Sequence, residues 1–427
     1  MNNDFLELYR EHLSPALTRA TQLVFEKGEG PYLYTTDGKR YLDFVSGIAV
    51  NQLGHCHPKV VAAAKEQAEK LIHCSLILGS YPSAVRYAKE LAKVTPGELN
   101  MFFFSNAGTE AVEGALKLAR WKTRKPCFIA YQGAFHGRTM GAISVTASSA
   151  SFRARYAPFL PTIYHVPYPY CYRCLYGGQP ETCSLDCLEE INRLFKYQTT
   201  PADVAAVLIE PVLGEGGYIV PPVRYMKGLE QLCRDHDILL IFDEVQTGFG
   251  RTGKMFAAEH FNIVPDIICL AKGMASGFPL AAVAASKEFM GDWTEGAHGT
   301  TFGGNPVSCA AGLALLEVFR EENILVKCNE RGSYFKKVLQ GLKNKYPVIG
   351  DVRGLGLMLA VEIVDSKGQP DGETCSRIIA YCAEHGLLLM KCGTFKNCIR
   401  FMTPLNISRA ALDEGISIFR DALKSVS

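Results

Sequence analysis

Short, uninterrupted apolar runs separated by amphipathic stretches fill the middle of this 427-residue chain. They lie at 101–104, 127–131, 205–209, 239–242, 267–270 and 281–285. Runs this short with no polar interruption predict strands buried on both faces. Helical spacing separates most of them, as at 110–121, where Val112, Ala115, Leu116 and Ala119 share one face, and at 225–236. That alternation predicts an α/β unit, a mostly parallel sheet with helices on both faces. Ligands of such sheets bind beyond the carboxyl ends of the strands, so the residues directly after each run are the candidates for chemistry.

The flanks read differently. An N-terminal helix precedes a strand-turn unit in which Asp37-Gly38 is the hairpin signal between 32–34 and 41–44. Pro58 then opens a helix with Val61, Ala64 and Ala68 on its apolar face. Beyond Gly304-Asn305-Pro306 a long helical pattern covers 307–320. From about residue 323 the chain reads as a separate α+β unit, with strands near 351–363, 387–390 and 398–401, a helix at 375–385 and a closing helix from Ser408.

Composition narrows the function classes. A net charge of +2 gives no reason to expect nucleic acid or an anionic membrane as partner. The N-terminus lacks a basic-then-apolar leader, and no uncharged run approaches the ~20 residues that span a bilayer. Most of the 15 cysteines lie singly in apolar segments, as at Cys127, Cys233, Cys269 and Cys309, which predicts buried reduced thiols and a cytoplasmic setting. His55, Cys56 and His57 match no metal-ligand spacing and read as turn or core residues.

The chain is organised around the run 267–270 and the lysine just past it, Lys272, with a second apolar run beyond the turn Gly273, Ser276, Gly277, Pro279. Such a lysine either snorkels to solvent or loses its proton and attacks a carbonyl. Glu210 follows the run 205–209, and Asp243 and Glu244 follow 239–242; acids there are costly to bury unless paired or functional. Asp243 and Lys272 stand one helix-containing crossover apart, on the same sheet edge. After 101–104, the turn 105–110 reads either as an ordinary N-cap at Ser105 or Asn106 or as a phosphate cradle at Gly108 and Thr109. Phe135, after 127–131, reads either as core or as the cover of a flat ring. Pyridoxal phosphate needs an amine for its aldehyde, an anion for its ring nitrogen and a helix N-terminus for its phosphate, and this set supplies all three.

Ser-Asn-Ala-Gly-Thr-Glu-Ala (105–111), Phe-His-Gly-Arg (135–138), Asp-Glu-Val-Gln-Thr-Gly-Phe-Gly-Arg-Thr-Gly (243–253) and Ala-Lys-Gly (271–273), in this order, resemble the class III aminotransferases from about Tyr41 to the last helix. The resemblance implies a pyridoxal-phosphate enzyme of fold type I with a mostly parallel seven-stranded sheet. It implies a larger cofactor-binding domain over 56–322, and a smaller domain made of the N-terminal segment 1–55 and the C-terminal 323–427. By the same resemblance Lys272 bonds the cofactor and moves the proton, Asp243 pairs with the pyridinium, Gln246 lies near the ring hydroxyl, Phe135 stacks on the ring, and Gly108 and Thr109 hold the phosphate. Thr301 from a neighbouring subunit reaches the same phosphate, implying a homodimer, or a tetramer, with shared sites. Arg400 matches the arginine for the α-carboxylate, Arg138 the one for the distal carboxylate, and Glu210 the glutamate that pairs with the first arginine and masks it. Substrates are then a small amino donor and a 2-oxo acid. Ile48 replaces the substrate-binding tyrosine of ornithine δ-aminotransferases. The stretch 46–58 is similar to acetylornithine aminotransferases, whereas 349–356 and 391–405 are closer to the 4-aminobutyrate type, which is the expected activity. A decarboxylase, racemase or aminomutase on the same fold is the rival.

One feature departs from that pattern. Cys171, Cys174, Cys183 and Cys187 form C-x2-C-x8-C-x3-C in a loop rich in Tyr, Pro and Gly. The spacing is that of no common zinc module, and the catalytic reading needs no metal; a metal or cluster, two disulfides, or free thiols all remain open.

Overall fold

The computed structural model describes residues 2–426. Three strands come first: β1 (Phe25–Glu29), β2 (Tyr32–Thr35) and β3 (Arg40–Asp43). Next are β4 (Met101–Ser105), β5 (Cys127–Tyr131), β6 (Ile163–Val166), β7 (Val204–Ile209), β8 (Leu239–Asp243), β9 (Ile267–Leu270) and β10 (Ala281–Ala285). The last are β11 (Ile349–Leu355), β12 (Met358–Ile363), β13 (Leu387–Leu388), β14 (Met390–Cys392) and β15 (Cys398–Phe401).

β4 to β10 form one seven-stranded sheet in the order β4-β10-β9-β8-β7-β5-β6. The five strands from β9 to β6 are parallel neighbours, and β10 runs antiparallel to both β9 and β4. β5, β7, β9 and β10 are buried along their whole length, as their unbroken apolar runs predict. One face is covered by the helix Gly108–Thr123 through Val112, Ala115, Leu116 and Ala119; Tyr225, Met226 and Leu229 of the helix Val223–Asp235 cover the other. Each such fully buried large aliphatic side chain contributes roughly 1.5–3 kcal/mol relative to exposure. β6 has no counterpart among the sequence runs, because an edge strand carrying Tyr164 and His165 has no unbroken apolar signal.

Two smaller four-stranded sheets flank it. In the first, β3 pairs antiparallel with β2 and parallel with β13, Leu387 opposite Leu42. The second, β11-β12-β15-β14, is antiparallel throughout. The run 387–390, expected as one strand, is therefore two strands in different sheets, divided at Leu389. The helix Pro58–Lys70 buries Val60 and Ala64; of the apolar positions expected, Ala64 faces inward while Val61 and Ala68 are only partly buried. His55 is a turn residue: its Nε2 stands 2.8 Å from Asp43 Oδ2. Asp43 also accepts the amides of Val45 and Ser46, and so braces the turn Ser46–Ala49. There Ser46, Gly47, Ile48 and Ala49 all have positive φ, between 48° and 65°. A full left-handed turn costs L-residues roughly 1–2 kcal/mol each. Among the described residues no helix is long and apolar enough to cross a membrane.

Candidate active site

β7, β8 and β9 end side by side, and a charged group stands at each end. Asp243 closes β8 and is buried. Its Oδ1 accepts the Val245 amide at 3.0 Å and its Oδ2 meets His136 Nδ1 at 2.7 Å. Glu210 follows β7, also buried, and accepts the amides of Phe135 and Gly214, both at 2.8 Å. Burial raises its carboxyl pKa well above the ordinary range. His136 and the two amides oppose that shift; Asp243 adds to it. Lys272 stands one residue beyond Ala271 at the end of β9, half-buried, with a φ of +45°. A side-chained residue in that region is strained, a cost that concentrates at functional sites.

No side chain among the described residues hydrogen-bonds Lys272 Nζ. Burial lowers its pKa to about 8, against the attraction of Asp243 and Glu210. A neutral amine is a nucleophile and a base.

The three groups line a cavity of about 410 Å³ together with Gly108, Thr109, Phe135, Arg138 and Gln246. Gly108 opens the helix Gly108–Thr123, where the first amides have no preceding carbonyl to take them. Glu110 accepts the amides of Asn106 and Ala107, both at 2.9 Å, so the cap is formed by Glu110 rather than by Ser105 or Asn106. A Cβ on Gly108 would lie 2.8 Å from Val245 Cγ1, and one on Gly137, at φ +131°, 2.3 Å from Thr109 Oγ1. These contacts hold the loop after β5 against the helix N-terminus, and Thr109 Oγ1 shares a hydrogen bond with Thr139 at 2.7 Å.

Arg138 is exposed at the cavity mouth, its guanidinium 3.7 Å from the Phe152 ring centre and 5.5 Å from that of Phe135. Among the described residues no carboxylate pairs with it. Arg400, on β15, is buried and donates through Nη1 to Glu215 Oε2 at 2.8 Å, close enough to Lys272 to act on its charge. This corrects the sequence expectation: the arginine's partner is Glu215, because Glu210 is turned to the amides of Phe135 and Gly214. Ile48, in the left-handed turn, is 40% exposed and does not line the cavity, although Val50 does. Thr301 is exposed and outside the cavity of its own chain. His136 went unassigned in the sequence; only its place in the Phe-His-Gly-Arg motif marked it.

Cys171, Cys174 and Cys183, in the segment before the helix Asp186–Tyr197, and Cys187 in that helix's first turn are free thiols, and they line a second cavity of about 510 Å³. Among the described residues no group of three His, Cys, Asp or Glu side chains is placed to hold a metal.

Gln246 Oε1 is buried and has no hydrogen-bond partner within the chain, an arrangement that native proteins resolve with a ligand or water. An unpaired acceptor, a neutral-leaning amine, a buried anion and an open helix N-terminus around one cavity fit a phosphorylated pyridine aldehyde. That fit defines a pyridoxal-phosphate enzyme of fold type I. The family model "Aminotransferase class-III" matches residues 14–423. A probable 4-aminobutyrate aminotransferase of Bacillus subtilis is 38% identical over 97% of this chain and 96% of its own length. An alanine/serine racemase of Pyrococcus horikoshii is 39% identical over 94% of this chain and 86% of its own. The solved structure of an (S)-enantioselective omega-transaminase from Thermomicrobium roseum superposes with a TM-score of 0.92 at 32% identity, covering 99% and 98% of the two chains. The chain belongs to the class III aminotransferases, and its cofactor is pyridoxal phosphate.

Proposed function

We propose that this aminotransferase moves the amino group of 4-aminobutyrate, or a similar ω-amino acid, to 2-oxoglutarate, giving succinate semialdehyde and glutamate. The observation that carries this reading is the pair of unlike arginines around Lys272: Arg138 exposed and unpaired, Arg400 buried and masked by Glu215. Planar guanidinium groups bind carboxylates bidentately. Arg138 takes the carboxylate of an ω-amino acid while the Glu215–Arg400 pair stays closed, since that donor has no α-carboxylate. For 2-oxoglutarate, Glu215 releases Arg400, and the two arginines hold the two carboxylates.

When bound, pyridoxal phosphate supplies the electron sink that makes the proton next to the amine labile. Lys272 Nζ would be the base that takes and returns that proton. Asp243 keeps the ring nitrogen protonated, and His136 fixes the orientation of Asp243. Gln246 would meet the ring hydroxyl, Phe135 would cover one face, and the amides of Gly108 and Thr109 would hold the phosphate. We assign residues 56–322 to a cofactor domain, and 1–55 with 323–427 to the smaller one. Exposed Ile77, Leu78 and Phe302, the last next to Thr301 in the chain, favour a homodimer in which Thr301 of the partner subunit completes the phosphate site; we assign the enzyme to the cytoplasm.

The test is to supply 4-aminobutyrate and 2-oxoglutarate and assay glutamate. Its absence rejects the reading, and interconversion of alanine enantiomers without an acceptor favours the racemase. A panel of 4-aminobutyrate, 5-aminovalerate, β-alanine, ornithine and acetylornithine ranks donors that one methylene separates by only ~1–3 kcal/mol.

A further inference from the structure

Two cysteines outside the catalytic groups face each other next to Arg400. Cys392 ends β14 and Cys398 begins β15, and the register places them directly opposite. Both are buried, 3% and 2% exposed. Opposed residues of an antiparallel pair have Cα atoms roughly 4.5–5.5 Å apart, inside the range that a disulfide spans. Cys398 also borders the 510 Å³ cavity; Arg353 Nη2 donates to its sulfur at 3.1 Å, while Glu362, paired with the same arginine, lies 3.8 Å from it. The hairpin holds both halves of the substrate switch: β15 carries Arg400, and the Gly393 amide at its tip donates to Glu215 O at 2.8 Å.

We propose that Cys392 and Cys398 are a modification site, a dithiol that small-molecule disulfides oxidise to a cross-strand disulfide, locking Arg400 onto Glu215. Cys398 thiolate attacks the small disulfide, forming a mixed disulfide and releasing one thiol. Cys392 then displaces the second thiol and closes the protein S–S bond. Two protein thiols are oxidised, one external disulfide is reduced to two thiols, and the protons leave with them. The lock opposes the release of Arg400 that a 2-oxo acid requires and spares the amine half-reaction, in which the pair stays closed. This effect rests on the role proposed for Arg400; the disulfide itself does not.

The experiment treats the holoenzyme with oxidised glutathione and digests it with trypsin without reduction. Cleavage after Lys391, Lys396 and Arg400 separates peptide 392–396 from 397–400. The expected result is these two peptides joined, with the 2-oxoglutarate half-reaction slowed on the order of tenfold. Dithiothreitol restores it, and the amine half-reaction changes less than about twofold. Cys398→Ser keeps basal activity and is insensitive to oxidised glutathione. Joined peptides that appear only among Cys171, Cys174, Cys183 and Cys187, or none at all, overturn the proposal, and this map on the unmodified sequence needs no variant. Joined 392–396 and 397–400 with both half-reactions unchanged overturns the lock. Absence of any amine half-reaction overturns the transaminase reading instead, and the peptide map still decides the disulfide.

Discussion

Arg400 Nη1 and Glu215 Oε2 meet at 2.8 Å, a charge pair with the arginine almost wholly enclosed. Hydrogen bonds between charged partners are worth about 1.5–3 kcal/mol, and a buried ion left alone costs more. Glu215→Gln therefore lowers kcat/KM for 4-aminobutyrate by about 10- to 100-fold, since that donor leaves Arg400 unpaired. The 2-oxoglutarate half-reaction is unchanged or faster. Stopped-flow spectra of each half-reaction check this; equal losses in both halves reject the masking role.

His136 acts through Asp243. Its 2.7 Å contact fixes the carboxylate that we propose pairs with the ring nitrogen. His136→Phe keeps the ring's bulk and removes the contact, so cofactor retention on dialysis falls by about tenfold or more. The variant's absorption spectrum shifts as well, which a loss of packing alone does not produce. Retention and spectrum equal to the unmodified protein reject the assignment.

Gly137 combines a φ of +131° with a would-be Cβ 2.3 Å from Thr109 Oγ1. Gly137→Ala is expected to lower stability by about 1–3 kcal/mol and to weaken phosphate-ester binding through displacement of Thr109. Thermal denaturation with and without cofactor separates the two effects.

Lys272 leaves a mark on stability. Its folded pKa of about 8 lies below its ordinary 10.5, so between those values the unfolded chain binds the extra proton. Its contribution to stability thus rises with pH across that window, and below about pH 8 the penalty of charging it is fully present. Because other groups titrate in the same range, the measurement is a difference. The cofactor-free protein should gain Tm relative to Lys272→Met as pH goes from 8 to 10, and a constant difference sinks the assignment. The same substitution slows transamination by at least about 10³-fold, as expected when a proton-transfer base is removed.

The strand ends were legible because β7, β8 and β9 are apolar along their length, and a charge after such a run stands out. Glu210, Asp243 and Lys272 were found in this way. Which glutamate meets Arg400 was not legible. Glu210 and Glu215 share one short loop, and only the fold shows that the first turns to the amides of Phe135 and Gly214. His136 was equally hidden, since its partner lies 107 residues away and no periodicity links them. The split of 387–390 escaped because both halves are short, and sheet membership is decided by distant strands.

The pairing of β3 with β13 sets an order of assembly. Leu42 donates to Gly386 O at 2.7 Å, and Met402 to Phe44 O at 2.9 Å, so the first sheet closes only once the last tenth of the chain has left the ribosome. Until then the edge of β3 is bare and open to pairing with another chain. Arg400, on β15, is set in place by that same late closure. A nascent or prematurely terminated product thus holds Lys272, Asp243, Arg138 and Glu215 but lacks Arg400.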